Sequence, residues 1–349
     1  MTTEKKQIAL FDITDAPDPR DKFGEIDLHS YDHYIVAISG GKDSVCCLLH
    51  LLENGVPRSK IELWHHRVDG GKDEPRVWDW PVTDAYLEAL ARAFELPLYY
   101  SWKVNGITGE MMRRNELTKP TCFEVPGGHT VTTGGNRGQE STRRMFPAIS
   151  PDMSKRFCSS YTKIDVGSKA LTGQTRFCNK RTLFITGERA EESANRSKYL
   201  RFEPHRSDRR EGRLARHVDA WRPVLDWSEA DIWACMKRWG VQPHPAYILG
   251  YSRCSCAYCI FGSANNFATL REIDAQGFHQ MAAIEDELGH TMKHGASLHQ
   301  VADAGKPYAA ATPERVALAM GTTYDQPIIV SPDQWELPAG AYGVNDGPQ

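Results

Sequence analysis

The stretch Tyr34-Ile-Val-Ala-Ile-Ser39-Gly40-Gly41-Lys42-Asp43-Ser44 runs from an apolar strand straight into a glycine turn that opens a helix. Adjacent glycines let the backbone approach a ligand closely and take conformations closed to other residues. The helix expected over residues 44–53 aims its free N–H groups and the positive end of its dipole at the same point. Ser39 and Ser44 add hydroxyl donors, Lys42 adds a cation, and Asp43 is suited to holding a magnesium ion. The string reads as a cradle for nucleotide phosphates. It is not a Walker A loop, whose glycines stand four residues apart ahead of the Lys.

Working outward, residues 61–66 and 98–102 read as strands, 83–94 as an amphipathic helix, 162–171 as a helix and 182–186 as a further strand. This alternation predicts an α/β fold, a doubly wound parallel sheet with crossover helices. Residues 1–30 form a lead-in, 31–227 the nucleotide-binding α/β domain, and 228–349 a helical C-terminal region. Ser228 and Asp231 form a capping box at the start of the helix through 239. Residues 104–157 break the rhythm with Gly127-Gly128, Gly134-Gly135, threonines and arginines, and predict a long, partly mobile insertion of the kind that often serves as a lid. The tail beyond about 308 reads as peripheral.

The 349 residues carry a formal net charge of -3, so no global field advertises nucleic acid or membrane. The chain lacks a run of eighteen apolar residues, and positions 1–14 are polar with no signal-like apolar segment. A cytoplasmic protein without a membrane partner is expected. Nine cysteines in a reducing compartment point to thiol chemistry or metal ligation rather than a disulfide framework.

The strand at 182–186 ends in Gly187-Glu188-Arg189-Ala-Glu-Glu192-Ser193-Ala-Asn-Arg196. In a doubly wound sheet, ligands sit outside the carboxyl ends of the strands, where this segment begins. If a helix follows, Arg189, Glu192, Ser193 and Arg196 share a face. Further on, Cys254-Ser-Cys256-Ala-Tyr-Cys259 packs three thiols into six residues, with Cys158 far upstream ahead of Ser-Ser-Tyr-Thr-Lys163. Four thiolates from two such segments suit zinc or an iron–sulfur cluster. Cys46 and Cys47 are expected in the core, as are Trp78 and Trp80; Cys122 in the insertion is a candidate sulfur carrier. The arginines of 196–216, with Arg113, Arg114, Arg143 and Arg144, read either as a phosphate-tracking rim for DNA or RNA or as a solvated loop of mixed charge.

The Ser39–Ser44 string resembles the PP-loop, SGGxDS, of the ATP pyrophosphatase superfamily, whose members cleave ATP between the α and β phosphates and place AMP on a substrate. The 187–196 segment resembles the G-x-R-x-x-E-S-x-x-R element of its PAPS reductase-like branch. Trp221-Arg-Pro-Val-Leu-Asp226-Trp227 resembles that branch's P-L-x-D-W element. Pro245-Ala-Tyr247-x-x-Gly250-Tyr-x-Arg253 resembles N-P-x-Y-x-x-G-x-x-R, with His244 in place of Asn. The resemblance covers about residues 31–262.

It implies that Ser39, Gly40, Gly41, Lys42, Asp43, Ser44, Gly187 and Arg189 bind ATP with Mg2+. It further implies that Lys42, Asp43, Arg189 and Arg196 act in catalysis, the two arginines on phosphate or another anion. Cys158, Cys254, Cys256 and Cys259 would hold a [4Fe-4S] cluster, with zinc as the alternative; Ser159 stands where assimilatory APS reductases have a second upstream Cys. The Glu-Cys-Gly-x-His motif of the sulfonucleotide reductases has no counterpart, since the last Cys is Cys259.

The expectation is ATP-dependent, AMP- and pyrophosphate-forming activation of a substrate oxygen, followed by iron–sulfur-assisted sulfur transfer. The nearest branch members by this logic are the DndC-like proteins of DNA phosphorothioation, which implies a nucleic-acid substrate, a sulfur donor such as a cysteine desulfurase, and partner subunits. The alternatives are an ATP sulfurylase small-subunit-like or PAPS/APS reductase-like enzyme, and an ATP-sensing nucleic-acid-binding module with structural zinc.

Overall fold

The computed structural model describes residues 18–343. In chain order its main elements are β1 (His33–Ala37), α1 (Lys42–Glu53), β2 (Ile61–Arg67), α2 (Thr83–Phe94), β3 (Leu98–Lys103), α3 (Gly106–Met111), β4 (Thr121–Val125), β5 (His129–Thr133), α4 (Phe157–Ser159), α5 (Asp165–Thr172), β6 (Arg181–Ile185), β7 (Phe202–Pro204) and β8 (His217–Trp221). Six helices follow: α6 (Glu229–Trp239), α7 (Pro245–Ile248), α8 (Ala264–Ile273), α9 (Ala275–Leu288), α10 (Leu298–Asp303) and α11 (Pro313–Ala319).

The strands form one eight-stranded sheet in the order β5-β4-β3-β2-β1-β6-β8-β7. β1 is central because its apolar run can be buried on both faces. Tyr34 and Val36 enter the larger core with Cys46, Leu48 and Tyr86, while Ile35 enters a second core with Trp64, Phe123, Leu171 and Phe184. The sheet is thus an α/β layer clad on both sides. β1, β2, β3, β6 and β8 pair in parallel. β4, β5 and β7 pair antiparallel, so the sheet is mixed rather than all-parallel.

Two expectations are corrected. The insertion adds the β4–β5 hairpin to the sheet edge: Gly127 and Gly128, at φ of 94° and 78°, form its turn rather than marking a loose loop. The tail is not peripheral. Tyr324, Ile328 and Trp335 are buried, the Trp335 indole donates to the Val241 carbonyl at 2.8 Å, and Ile329 bridges to Val241. One continuous core therefore joins the sheet to the C-terminal helices, from Tyr31 to Trp335. Cys46, Cys47, Trp78 and Trp80 lie in it as expected. Among the described residues, no helix is long and apolar enough to cross a membrane.

Candidate functional site

Strand order reverses at β1, whose neighbours are β2 and β6. At such a switch point the loops leaving the two sides diverge and open a crevice at the carboxyl ends of the strands. The residues 39–44 leave β1 there, and Gly187 follows β6. Gly40 has φ +80°, and a Cβ on it would stand 3.2 Å from the His244 ring. A Cβ on Gly187 would stand 2.9 Å from both Asp43 C and Ser44 N, so only glycine lets the end of β6 seat against the first turn of α1.

Three loop amides point at hydroxyls of the protein itself. Ser39 N donates to Ser44 Oγ at 3.2 Å, Gly41 N to Ser39 Oγ at 3.3 Å, and Lys42 N to the Tyr247 hydroxyl at 3.1 Å. Such donors at a helix N-terminus suit an anion. Lys42 is 3% exposed; its Nζ lies 3.5 Å from Asp43 Oδ2 and 3.8 Å from Glu229 Oε1, against the rings of Trp233 and Tyr247.

Arg189 crosses from the β6 side and donates from Nε to Asp43 Oδ1 at 2.6 Å, and also pairs with Glu191. Burial works against the Asp43 carboxylate, but Lys42 and Arg189 outweigh it and hold its pKa below the usual range. Asp43 thus serves here as counter-ion to two cations. Glu192 accepts from Arg189 N at 2.9 Å, pairs with Arg196, and lies 3.2 Å from Arg253 Nη2. Arg189, Arg196 and Arg253 therefore converge, but not on a helix face: the segment forms two 3-10 turns, Ala190–Glu192 and Arg196–Lys198, because Arg189 is drawn inward to Asp43.

On the facing wall, a π-helical turn over Ser160–Ile164 follows Cys158. Its extra residue re-aims the side chains around Lys163, a device common at functional sites. Lys163 is solvent-accessible yet deep among protein atoms, and although burial opposes it, Cys256, Cys158 and Asp79 hold its pKa above the ordinary value. Burial and the Asp69 charge push Asp79 up to about 6. Asp79 Oδ1 accepts from Trp80 N at 2.8 Å and is 3.3 Å from Thr83 Oγ1, which is 3.3 Å from His244 Nε2. His244 Nδ1 accepts from Ala246 N at 3.2 Å and so caps α7, the task an Asn would perform.

The thiols divide. Cys158 and Cys256 each sense the Cys259 thiol, and burial pushes Cys158 up to about 11. Cys254 instead turns its Sγ toward the Ser39 carbonyl, 4.0 Å away. Among the described residues, no three His, Cys, Asp or Glu side chains are gathered as a metal-ligating set. An all-thiol donor set suits iron–sulfur or zinc chemistry. Cys122 lies buried in the hairpin with its Sγ 3.3 Å from Thr132 Oγ1.

Much of the arginine rim is already paired. Arg113 and Arg143 hold the buried Glu110, Arg144 holds Glu287, Arg201 holds Asp18, Asp21 and Asp226, and Arg210 holds Asp208 and Asp219. Arg206, Arg209 and Arg213 are exposed. Tyr247, Glu229, Asp79 and Lys163 were not singled out by sequence reasoning as site residues; only the position of Tyr247 within a motif and of Lys163 beside Cys158 gave any signal.

The phosphoadenosine phosphosulfate reductase domain family matches residues 130–261, a span that contains the 187–196 segment and all four thiols and begins after the 39–44 loop. An uncharacterized 37.8 kDa protein in the gpa 5' region of Escherichia phage 186 is 24% identical over 255 residues, which are 68% of this chain and 69% of that protein. The adenosine 5'-phosphosulfate reductase of Burkholderia cepacia is 34% identical over 76 residues, 22% of this chain and 27% of that enzyme. That of Allochromatium vinosum is 29% identical over 102 residues, 29% of this chain and 34% of that enzyme. The chain thus spans about a third or less of the length of these two reductases. The chain is thus similar, over part of its length, to the phosphoadenosine phosphosulfate reductase domain and to adenosine 5'-phosphosulfate reductases.

Proposed function

We propose that the protein uses ATP to adenylate a substrate oxygen with release of pyrophosphate, as the first half of a sulfur transfer whose second half displaces AMP. The observation that carries the reading is the convergence of the loop amides, Lys42 and Arg189 on one crevice at the switch point of the sheet. In the first half-reaction the substrate oxygen attacks the α-phosphorus and the bond to the bridging oxygen of pyrophosphate breaks. Pyrophosphate leaves into the 39–44 loop. There the amides of Gly41 and Lys42 exchange their hydroxyl partners for phosphate oxygens, and the Lys42 ammonium neutralises the charge that develops. Arg189, Arg196 and Arg253 exchange carboxylate partners for the anionic substrate, a task suited to the planar guanidinium. Magnesium, which Asp43 would hold, would supply positive charge against the phosphates.

The sulfur half of the reading is supported by the thiols Cys158, Cys256 and Cys259, all of which lie within electrostatic reach of Lys163. A metal centre held by these thiols would supply electron storage or sulfide there. A nucleic-acid acceptor has weaker support, because much of the basic rim is committed to internal pairs and exposed cations such as Arg206, Arg209 and Arg213 remain for phosphates. The test is product analysis with α-labelled ATP: labelled AMP with equimolar pyrophosphate, abolished in Lys42→Ala, supports the reading.

A further inference from the structure

The spacing of Cys254, Cys256 and Cys259 reads as one ligand run, but the chain folds it into two environments. The turn at 254–256 carries Cys254 to the loop leaving β1 and leaves Cys256 and Cys259 along a separate recess shared with Tyr251, Arg253, Ser255 and Asn266. Three contacts fix Cys254 against the phosphate loop. Its Sγ lies 4.0 Å from the Ser39 carbonyl. Its own carbonyl lies 3.5 Å from where a Cβ on Gly41 would stand, an ordinary van der Waals separation that puts the two backbones side by side. The Tyr247 hydroxyl that takes the Lys42 amide also engages the Cys254 backbone. The thiol lies within electrostatic reach of Lys42 on one side and of Lys163 and Asp79 on the other. It is partly exposed beside the phosphate loop.

We infer that Cys254 is a thiol of the nucleotide site, in contact with the phosphate end of a bound nucleoside triphosphate and with the group being activated, and not a fourth ligand beside Cys158, Cys256 and Cys259. The inference rests on the nucleotide reading above and adds a contact to it. A thiol in this position touches whatever replaces pyrophosphate at the loop. A cluster ligand would have to turn its Sγ away from the Ser39 carbonyl.

The experiment is alkylation by iodoacetamide of the full chain, followed by peptide mass spectrometry, with Mg-ATP binding measured on the same sample by equilibrium dialysis. Cys178 lies beside the amino end of β6, at the opposite end of the strands, and serves as internal control. At nucleotide concentrations near ten times Kd, Cys254 labelling should slow about tenfold, following the free fraction, while Cys178 is unchanged. Cys254→Ser should bind Mg-ATP and keep the metal content of the wild type, whereas Cys256→Ala should lose metal. Measured ATP binding with no protection of Cys254 overturns the inference and leaves the nucleotide reading intact. Protection of Cys254 by iron and sulfide alone, with metal lost in Cys254→Ser, makes it a cluster ligand and also overturns it. No ATP binding at all removes both.

Discussion

Arg189 Nε and Asp43 Oδ1 meet at 2.6 Å, tying the carboxyl end of β6 to the first turn of α1 across the switch point of the sheet. The pair is largely shielded from water, with side-chain exposures of 3% and 17%, so removing one partner strands a charge. Breaking such buried pairs costs about 3–5 kcal/mol; because Lys42 also neutralises Asp43, Arg189→Ala is expected at the lower end, about 3 kcal/mol. Chemical denaturation of both single variants and the double variant checks this. A coupling of about 0.5–3 kcal/mol is expected, and simple additivity would show that the two side chains do not interact.

Gly187→Ala tests the seat of β6 on the loop. The added methyl meets backbone atoms of Asp43 and Ser44 at 2.9 Å, and backbone cannot swing aside as a flexible side chain can. Overpacking of this kind costs about 1–3 kcal/mol. The variant should fold with a lowered Tm and bind Mg-ATP more weakly than wild type, because the displaced atoms belong to the phosphate loop.

Tyr247→Phe removes the hydroxyl that satisfies the Lys42 amide. The ligand-free variant should lose about 1 kcal/mol, the usual value of one such hydrogen bond. Phosphate supplies the missing acceptor, so the difference from wild type should shrink at saturating Mg-ATP. Thermal melts with and without nucleotide measure it; a constant gap would place the phosphates elsewhere.

His244 gives a pH signature. Burial pushes its pKa down to about 3 from an unfolded value near 6.5, with His65 nearby adding to the effect. The unfolded chain therefore binds the proton first, and stability present above pH 6.5 is lost as pH falls toward the folded value. Asp79, raised to about 6, acts in the opposite sense below that pH, so the informative quantity is the difference between variants. His244→Asn keeps a side chain able to cap α7 and removes the titration. Between pH 6.5 and 5 the stability of wild type should fall more steeply than that of the variant, by up to about 1.4 kcal/mol per pH unit. Parallel curves would mean that His244 protonates freely in the folded protein.

The order strand, glycine turn, helix was legible because each part has its own chemical signal: a continuous apolar run, two glycines, and a helix whose first turn carries Asp43. The capping box of Ser228 and Asp231 is local and formed as read. The β4–β5 hairpin was missed because its strands are rich in threonine and partly exposed, and the glycines that close it look the same in a loop. Trp335 was missed because burial of a tail is decided by the α6 surface it meets, which no local pattern encodes. For the candidate site, residue type and the family resemblance pointed to Lys42, Arg189, Arg196 and the thiols. They could not assign partners: Glu192 between Arg196 and Arg253, Tyr247 on Lys42, and Cys254 on Ser39 are contacts between segments about 60 to 215 residues apart.

The most direct test of the central claim follows α-labelled ATP incubated with the purified protein, magnesium, a nucleic-acid acceptor, sulfide and reductant. Labelled AMP with matching pyrophosphate, lost in Lys42→Ala and reduced in Arg189→Ala, is the expected result. Labelled ADP with inorganic phosphate would place cleavage at the wrong bond and contradict the assignment of the 39–44 loop as a pyrophosphate cradle.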